Sequence, residues 1–185
     1  MATEQELSDF LKSVERRAFK RSLYHVKNEE SALDIVQDSM IKLSVHYADK
    51  PLAELPMLFQ KILSNTTMDW FRHNKTHNAL FVNMSAFEGP GEDDDFDLLE
   101  TLTNLTNTES AQDSTERAQI FHEIETEIKK LAPRQREAFL MRYWEEMDVA
   151  ETATAMGCSE GSVKTHCSRA VQILSKALAE KGLKL

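Results

Sequence analysis

Apolar residues recur every three or four positions through the first part of this chain, a spacing that places them on one face of an α-helix. The first such pattern predicts a helix that begins at a capping box of Thr3 and Glu6 and runs to about Val26. A second helix is predicted from Ser31, whose hydroxyl is placed to cap it. A third is predicted from Pro56, in the first-turn position that proline favours. The N-terminal part is therefore predicted to consist of helices.

The C-terminal part repeats this spacing and adds clear start and stop signals. Isoleucines in register predict a helix over 116–131, and Pro133 begins another that ends near Trp144. Asp148 and Glu151 have the spacing of a capping box, so a further short helix is expected to start at Asp148. The whole chain is predicted to be all-α.

The residues around 157 predict a helix-turn-helix over 133–178. Gly157 can adopt the left-handed conformation that ends the short helix, and Ser159 can cap a second one two residues later. This second helix has one apolar stripe that is expected to pack inward, formed by Val163, Cys167, Ala170, Val171, Leu174 and Leu178.

The opposite side of this second helix combines small and polar residues with cations. These positions are Gly161, Ser162, Lys164, Thr165, His166, Ser168, Arg169, Gln172 and Lys176. Such a face suits a major groove, where cations meet phosphates and hydroxyls meet base edges. For one helix alone, a merely solvated face has about equal weight, because helix-turn-helix shapes also serve in packing. The helix that precedes it favours DNA binding.

The net charge of −9 at first argues against nucleic acid, but its distribution does not. Residues 1–76 hold 11 acidic and 11 basic side chains, and residues 116–185 also hold 11 and 11. Residues 77–115 hold nine acidic side chains and no Lys or Arg. We therefore predict two small helical domains joined by an acidic linker, and we hypothesise that the linker screens the basic faces of both domains.

Basic residues also cluster in the predicted first helix, at Arg16, Arg17, Lys20 and Arg21. Such a cluster is typical of a solvated helix face, and contact with phosphates is the less favoured alternative.

The remaining composition limits the other classes of function. The two cysteines, Cys158 and Cys167, do not form a disulfide framework, and no metal-ligand spacing, phosphate loop or nucleophile elbow is present. We therefore expect no catalytic residues, no metal and no cofactor. No apolar run is long enough to cross a bilayer and the N-terminus is acidic, so we expect a cytoplasmic protein without membrane insertion.

The C-terminal motif resembles region 4 of bacterial sigma factors of the sigma-70 family, the domain that reads the minus-35 promoter element. The resemblance is carried by Leu131, Pro133, Arg136, Phe139, Arg142, Glu151, Gly157, Ser159, Gly161, Val163, Lys164, Arg169 and Ala170. It implies DNA contacts from Ser162, Lys164, Thr165, His166, Ser168, Arg169 and Gln172. Thr152 departs from the family, which usually has an aliphatic residue there. Arg134 and Arg136 are expected to face either the DNA backbone or water.

Residues 34–43 resemble region 2 of the same family. Before the resemblance is considered, Asp34, Asp38, Ile41 and Val45 already share one mixed face that suits a partner helix, with an ordinary wide apolar arc as the equal alternative. The resemblance implies that this helix docks on the clamp helices of the largest subunit of core RNA polymerase. The residues expected to bind polymerase are Asp34, Gln37, Asp38, Ile41 and Lys42.

The third helix adds a further match, because Asn65, Asp69 and Arg72 are the residues usual in the helix that opens the minus-10 element, although Ser64 replaces a common Arg. By analogy, the loop 48–55 would capture a flipped base. The residues expected to contact this element are Lys50, Lys61, Asn65, Trp70, Arg72 and Lys75. For Trp70, stacking on unpaired bases and packing in the core are equally weighted.

Taken together, the chain is identified as a member of the extracytoplasmic-function type of sigma factors. The resemblance implies region 2 at 1–76, a linker at 77–115 and region 4 at 116–185. The expected partners are core RNA polymerase, including the flap of its second-largest subunit, promoter DNA and an anti-sigma factor. The alternative is a helix-turn-helix regulator that acts without polymerase; a helical adaptor and an enzyme are less favoured.

Overall fold

The computed structural model describes residues 2–77 and 111–183, and all its regular elements in these ranges are helical. The N-terminal range contains α1 (Glu4–Val26), α2 (Glu29–His46), a short 3-10 turn (Leu52–Glu54) and α3 (Leu55–His77). The C-terminal range contains α4 (Ala111–Ile128), α5 (Pro133–Phe139), α6 (Val149–Met156) and α7 (Glu160–Glu180). The predicted all-α fold is confirmed. The acidic run 88–100 and the screening role suggested for it lie outside the described residues.

Helices α1, α2 and α3 form an N-terminal bundle around one core. The fully buried apolar positions of this core are Ala18, Val26, Ala32, Ile35, Val36, Leu43, Leu55, Phe59 and Leu63. Phe10 of α1 and Phe59 of α3 meet edge to face, with ring centroids 6.0 Å apart. The predicted capping box of α1 is present, because Thr3 Oγ1 accepts from Glu6 N–H at 3.2 Å and Glu6 Oε2 accepts from Thr3 N–H at 2.7 Å.

The predicted cap of α2 at Ser31 is wrong. Helix α1 ends at Val26, and two residues separate it from α2: Lys27, the C-cap with a left-handed φ of 58°, and Asn28. Asn28 is extended, and its Oδ1 accepts from Ser31 N–H at 2.8 Å. Asparagine is a preferred N-cap residue, and Ser31 is therefore already inside the helix.

Helices α4 to α7 form a C-terminal bundle with two adjoining apolar clusters. One joins α4, α5 and the inner face of α7 through residues such as Ile124, Phe139 and Leu174, and the other joins α5, α6 and the start of α7. The helix begun by Pro133 continues as one π-helical turn, Leu140–Trp144, which confirms the predicted end near Trp144. The sequence predicted that helix α4 starts at residue 116, whereas the helix begins at Ala111.

The two bundles pack against each other. Tyr24 of α1 is buried within the apolar cluster of the C-terminal bundle, and Met57 of α3 packs against the cluster around α6. Polar groups also cross the boundary, including the buried ion pair of Arg21 with Glu137. The described residues therefore form one closed body in which α1 and α3 face α5 and α6.

Candidate nucleic-acid interface

Helices α6 and α7 form the predicted helix-turn-helix, and the predicted local signals are present. Asp148 Oδ1 accepts from Glu151 N–H at 2.7 Å, and Glu151 Oε2 accepts from Asp148 N–H at 2.8 Å, which completes the capping box of α6. Gly157 ends α6 with a φ of 64°. Ser159 is the N-cap of α7, and its Oγ accepts from Ser162 N–H at 3.1 Å. The turn between the two helices is therefore fixed by residues within it.

Thr152 is the position at which an aliphatic residue was expected. It is fully buried, and its Oγ1 donates to the carbonyl of Asp148 at 2.7 Å. A buried hydroxyl that has a hydrogen-bond partner avoids the cost of leaving a polar group unpaired. The packing of α6 therefore accommodates this departure.

The inner stripe of α7 determines which side of the helix faces outward. All six apolar positions predicted to pack inward are buried. Because successive residues rotate by about 100° around a helix, burial of this stripe turns the polar side away from the core. The interface predicted from the sequence is thus a single exposed ridge along α7.

The side chains of this ridge differ in exposure. Gly161, Lys164 and Gln172 are exposed, and the half-buried positions are Ser162, Thr165, His166, Ser168 and Arg169. The hydroxyl of Thr165 donates to the carbonyl of Gly161 at 2.9 Å, and the hydroxyls of Ser162 and Ser159 lie 2.9 Å apart. The ridge offers a cation, an amide and hydroxyl oxygens on one face, which are the groups that contact phosphates and base edges.

His166 lies on the flank of the ridge beside two arginines. Burial lowers the pKa of His166, and the positive charges of Arg134 and Arg169 lower it further. The imidazole is therefore neutral at pH 7, and a neutral ring presents one donor and one acceptor. Arg134 also donates to the carbonyl of Met156 at 3.2 Å and so satisfies the end of α6.

The expectation that Arg136 faces DNA or water is wrong. Arg136 is buried, and its guanidinium donates to the carbonyls of Ile128, Lys129 and Leu131 at 2.6–3.0 Å. A further N–H donates to the carbonyl of His25 in the N-terminal bundle at 2.9 Å. Burial lowers the pKa of Arg136 to about 10, so it stays charged. These four hydrogen bonds satisfy the end of α4 and join the two bundles.

A second face lies on α3. Lys61, Asn65 and Arg72 are exposed, and their spacing of four and seven residues places them on one side of the helix. Arg72 Nη1 is 2.8 Å from Asp69 Oδ1. Lys75 is in the last turns of α3, and its side chain lies outside the described part of the chain.

Trp70 and Lys50 differ from that exposed face. Trp70 is half-buried and packs against the N-terminal core, with its ring 5.1 Å from that of Phe71 in an edge-on arrangement. Lys50 is half-buried in the turn before α3, and its carbonyl accepts from Ala2 N–H at 2.9 Å. Packing against the core thus accounts for the buried part of the Trp70 ring.

The third predicted surface is on α2. Asp34, Gln37, Asp38 and Ile41 are exposed, and Lys42 Nζ is 2.7 Å from Asp38 Oδ2. Ile41 keeps 60% of its surface exposed, and Val45 of the same stripe keeps 68%. The three predicted sets therefore lie mainly on three different helices, with Lys50 in the turn before α3 and Trp70 partly in the core.

Sequence reasoning missed the residues of α1 that join the two bundles. Arg21, Ser22 and His25 are polar residues at helical spacing, and all three are buried. The sequence signal that could have revealed them is the helical spacing of these polar residues in α1. Buried polar residues are uncommon unless another element supplies partners for them. Within 2–77 and 111–183, no cluster of metal-ligating residues and no helix suited to crossing a membrane is present.

Comparison with known proteins finds similarity to RNA polymerase sigma factors along most of the chain. Residues 121–174 match the family model described as Sigma-70, region 4. The RNA polymerase sigma-E factor of Streptomyces avermitilis is 26% identical over 181 residues, which cover 96% of this chain and 88% of that protein. The ECF RNA polymerase sigma factor BldN of Streptomyces coelicolor is 40% identical over 53 residues, 29% of this chain and 20% of that protein.

The fold has a solved counterpart in the sigma factor RpoE of Bartonella quintana, crystallised in complex with the anti-sigma factor NepR. The TM-score is 0.64 at 19% identity, over 93% of this chain and 96% of that one. A match in both sequence and fold that extends across both bundles goes beyond a shared helix-turn-helix. Over most of its length the chain is therefore similar to RNA polymerase sigma factors, and its C-terminal part matches the sigma-70 region 4 model.

Proposed function

We propose that this chain binds bacterial core RNA polymerase and directs promoter-specific initiation of transcription. The observation that carries the proposal is the exposed polar ridge of α7, in a chain that aligns with sigma factors over 96% of its length. The protein acts by binding, without a catalytic residue, metal or cofactor of its own. Its place of action is the cytoplasm, where polymerase and promoter DNA are found.

The C-terminal domain, residues 116–185, reads the minus-35 element. Lys164 and Arg169 would meet phosphates, while Ser162, Thr165 and Ser168 would meet base edges or backbone oxygens. His166 and Gln172 complete the ridge, and the amide of Gln172 presents both a donor and an acceptor. Support comes from the buried inner stripe of α7, which presents these residues outward together.

The N-terminal domain, residues 1–76, opens and holds the minus-10 element. Lys61, Asn65 and Arg72 form an exposed face on α3 that suits a DNA strand, with Lys50 and Lys75 as flanking cations. Trp70 would stack on an unpaired base through the part of its ring that the core leaves exposed.

The exposed face of α2 binds polymerase. Ile41 and Val45 are large apolar residues on an otherwise acidic and amide-bearing surface formed with Asp34, Gln37 and Asp38. A few exposed apolar residues rimmed by polar groups are typical of an interaction site. We assign this face, with Lys42, to the clamp helices of the largest subunit, and the C-terminal domain to the flap of the second-largest. The linker 77–115 joins the two domains, and an anti-sigma factor is a further expected partner.

Run-off transcription with purified core polymerase on a library of promoter sequences tests this function. We expect transcripts from a defined subset of promoters that appear only when the chain is added. A charge reversal on the α2 face, Asp38→Lys, is expected to remove both the transcripts and the binding to core polymerase. Because Asp38 is exposed, folding should be unchanged. Transcripts that do not depend on the chain would contradict the proposal.

A helix-turn-helix regulator that acts alone is the alternative, which the whole-chain alignments do not favour. Such a regulator would shift duplex DNA in a gel without polymerase, usually as a dimer. A sigma factor should shift promoter DNA strongly only with core polymerase. A gel shift with and without core enzyme separates the two.

A further inference from the structure

The two ring nitrogens of His166, on the flank of the ridge of α7, have different surroundings. In the fully buried His25 both ring nitrogens are enclosed without a hydrogen-bond partner, whereas in His166 only Nδ1 is enclosed in this way. The side chain of His166 as a whole is half-buried. The ring therefore turns Nδ1 toward the protein and leaves Nε2 as the nitrogen that can meet a ligand.

The ring of His166 is uncharged at pH 7. Burial lowers its pKa, and the positive charges of Arg134 on α5 and Arg169 on α7 lower it further. A neutral imidazole carries one hydrogen, so one nitrogen is a donor and the other an acceptor. Such a ring is poorly suited to bind phosphate, because attraction to phosphate comes mainly from positive charge.

The buried side of the ring decides which nitrogen carries the hydrogen. A buried N–H without an acceptor is rare in proteins, because it leaves a donor unpaired. A bare lone pair at Nδ1 is less costly here, since the nearby cations of Arg134 and Arg169 attract it. The hydrogen is therefore assigned to Nε2 on the basis of its neighbours. The outward edge of His166 is then a donor.

A single outward donor distinguishes among the four bases in the major groove. Guanine presents two acceptors there, N7 and O6, while adenine and thymine present one each. Cytosine presents only the donor of its amino group. A donor on the protein therefore gains most opposite guanine, and opposite cytosine it faces a second donor and stays unpaired.

His166 lies in the part of α7 that suits contact with base edges. Helix α7 begins at Glu160, and His166 is in its second turn. In helix-turn-helix proteins the N-terminal residues of the second helix contact the bases. Lys164, which is exposed on the same ridge, supplies a cation for the phosphates beside them.

We propose that His166 is a specificity-determining residue of the minus-35 contact, which donates from Nε2 to an acceptor on a base edge, favours guanine and rejects cytosine. The inference rests on the proposed function and adds to it the identity of one base. Lys164 contributes affinity for any sequence, whereas His166 contributes to the choice of sequence.

Selection from a randomised minus-35 element tests this base preference. Holoenzyme assembled from core polymerase and the full chain selects DNA from the pool, and the bound DNA is sequenced. With the wild type we expect one position at which guanine is favoured over cytosine by about tenfold. With His166→Ala this preference should disappear while the other positions keep theirs. His166→Gln should move it toward adenine, whose N6 and N7 match an amide.

Lys164→Ala is the matched control, because it removes a neighbouring side chain of the same ridge. It should weaken binding to all sequences and lower the slope of log affinity against log salt by about 1, with base preferences unchanged. His166→Ala should leave the salt slope as it is in the wild type. If His166→Ala instead lowers the salt slope and keeps every base preference, His166 is a phosphate contact and the inference is overturned.

Modified bases test the same contact without any change in the protein. The selected guanine is replaced by 7-deazaguanine, which lacks the N7 acceptor, or by 2-aminopurine opposite thymine, which lacks O6. Compared with His166→Ala, the wild-type holoenzyme should lose about fivefold more affinity on at least one of these replacements. Equal losses in the wild type and His166→Ala on both modified DNAs would overturn the inference.

The two proposals fail in different ways. If the holoenzyme selects no promoter sequence at all, the proposed function is wrong and the base assignment falls with it. If the wild type selects a defined minus-35 sequence and His166→Ala selects it with the same preferences, the function stands and the role of His166 is wrong.

Discussion

Two helices of this chain carry cations among small and polar residues, and they occupy opposite environments. In α7 the charged side of the helix faces outward, with Lys164 exposed at the ridge. In α1 the charged side turns toward a second bundle, where Arg21 is buried and Arg17 and Lys20 pair with Glu145 and Glu125. One helix is available to bind phosphate, whereas the other already has its counter-ions within the protein.

The difference shows that the helices packed against a cluster of cations determine whether these cations are paired within the protein or stay exposed. A guanidinium leaves water only when carboxylates and acceptors replace the lost hydration. Glu137 and Gln60 supply such groups to Arg21. The carboxylates near α1 come from α4, α5 and the residue after the π-helical turn, so the C-terminal bundle determines the role of an N-terminal helix.

The largest effect should follow from unpairing the buried charge of α1. Arg21→Met removes a buried cation beside the carboxylate of Glu137, whose Oε2 remains 3.5 Å from Arg134 Nη1, and we expect the free energy of unfolding to fall by about 3 kcal/mol. Addition of Glu137→Leu should recover most of that loss, because two apolar groups need no partner. Urea denaturation measures both. Lys164→Met on α7 is the control and should change stability by less than about 0.5 kcal/mol. Similar losses of stability in Arg21→Met and Lys164→Met would contradict the contrast between a buried cation on α1 and an exposed one on α7.

The sequence predicted α7 better than it predicted α1 because the signals for α7 are local. The capping residues Asp148, Glu151 and Ser159 act within three positions of themselves, and Gly157 needs only its own backbone freedom. Periodicity then fixed the inner stripe and therefore the outer ridge.

The partners of α1, by contrast, are far away in the sequence. Tyr24 bonds to a residue 101 positions later, and the carbonyl of His25 accepts from a residue 111 positions later. No local pattern carries that pairing. For the same reason the sequence did not show that Arg136 is buried and donates hydrogen bonds to carbonyls of both bundles.

A smaller effect should appear in the pH dependence of the free energy of unfolding, through the buried His25 of α1. Burial lowers the pKa of His25 well below 6.5, and the charges of Arg136 on α5 and Arg21 on α1 lower it further, with Phe71 of α3 against the ring. The folded chain therefore holds His25 neutral, so its contribution to stability is complete above pH 6.5 and is lost as the pH falls below that value. At pH 5.5 we expect a loss on the order of 1 kcal/mol relative to pH 7.5.

The nearby carboxyl of Glu137 titrates in the opposite sense, because burial raises its pKa. Comparison with His25→Phe, measured by urea unfolding at both pH values, removes that common contribution. The wild type should lose more stability on acidification than the variant does. Equal losses would mean that burial in the folded chain does not hold His25 neutral.

Next in size is the cap that positions the reading helix. Ser159→Ala removes the acceptor for Ser162 N–H at the start of α7, and we expect a loss of about 1 kcal/mol in the free energy of unfolding. Ser159→Asp keeps an acceptor and should lose little. If alanine and aspartate behave alike, the cap does not stabilise the helix.

The smallest effect on stability is expected on the exposed ridge itself. Lys164→Ala should leave unfolding within about 0.5 kcal/mol of wild type but weaken binding to promoter DNA in the complex with core polymerase. The slope of log affinity against log salt should fall by about 1, as for the loss of one phosphate contact. Lys12→Ala on α1 is the matched control. An unchanged salt slope would remove Lys164 from the DNA interface.

The distance between the two bundles is the most direct measure of the account. Dyes on Lys12→Cys and Glu180→Cys, both exposed, in a Cys158→Ala background would report this distance by energy transfer. We predict high transfer in the free chain, where the two bundles pack against each other, and low transfer with core polymerase and promoter, when each bundle contacts its own promoter element. High transfer that persists at saturating polymerase and promoter would contradict the account.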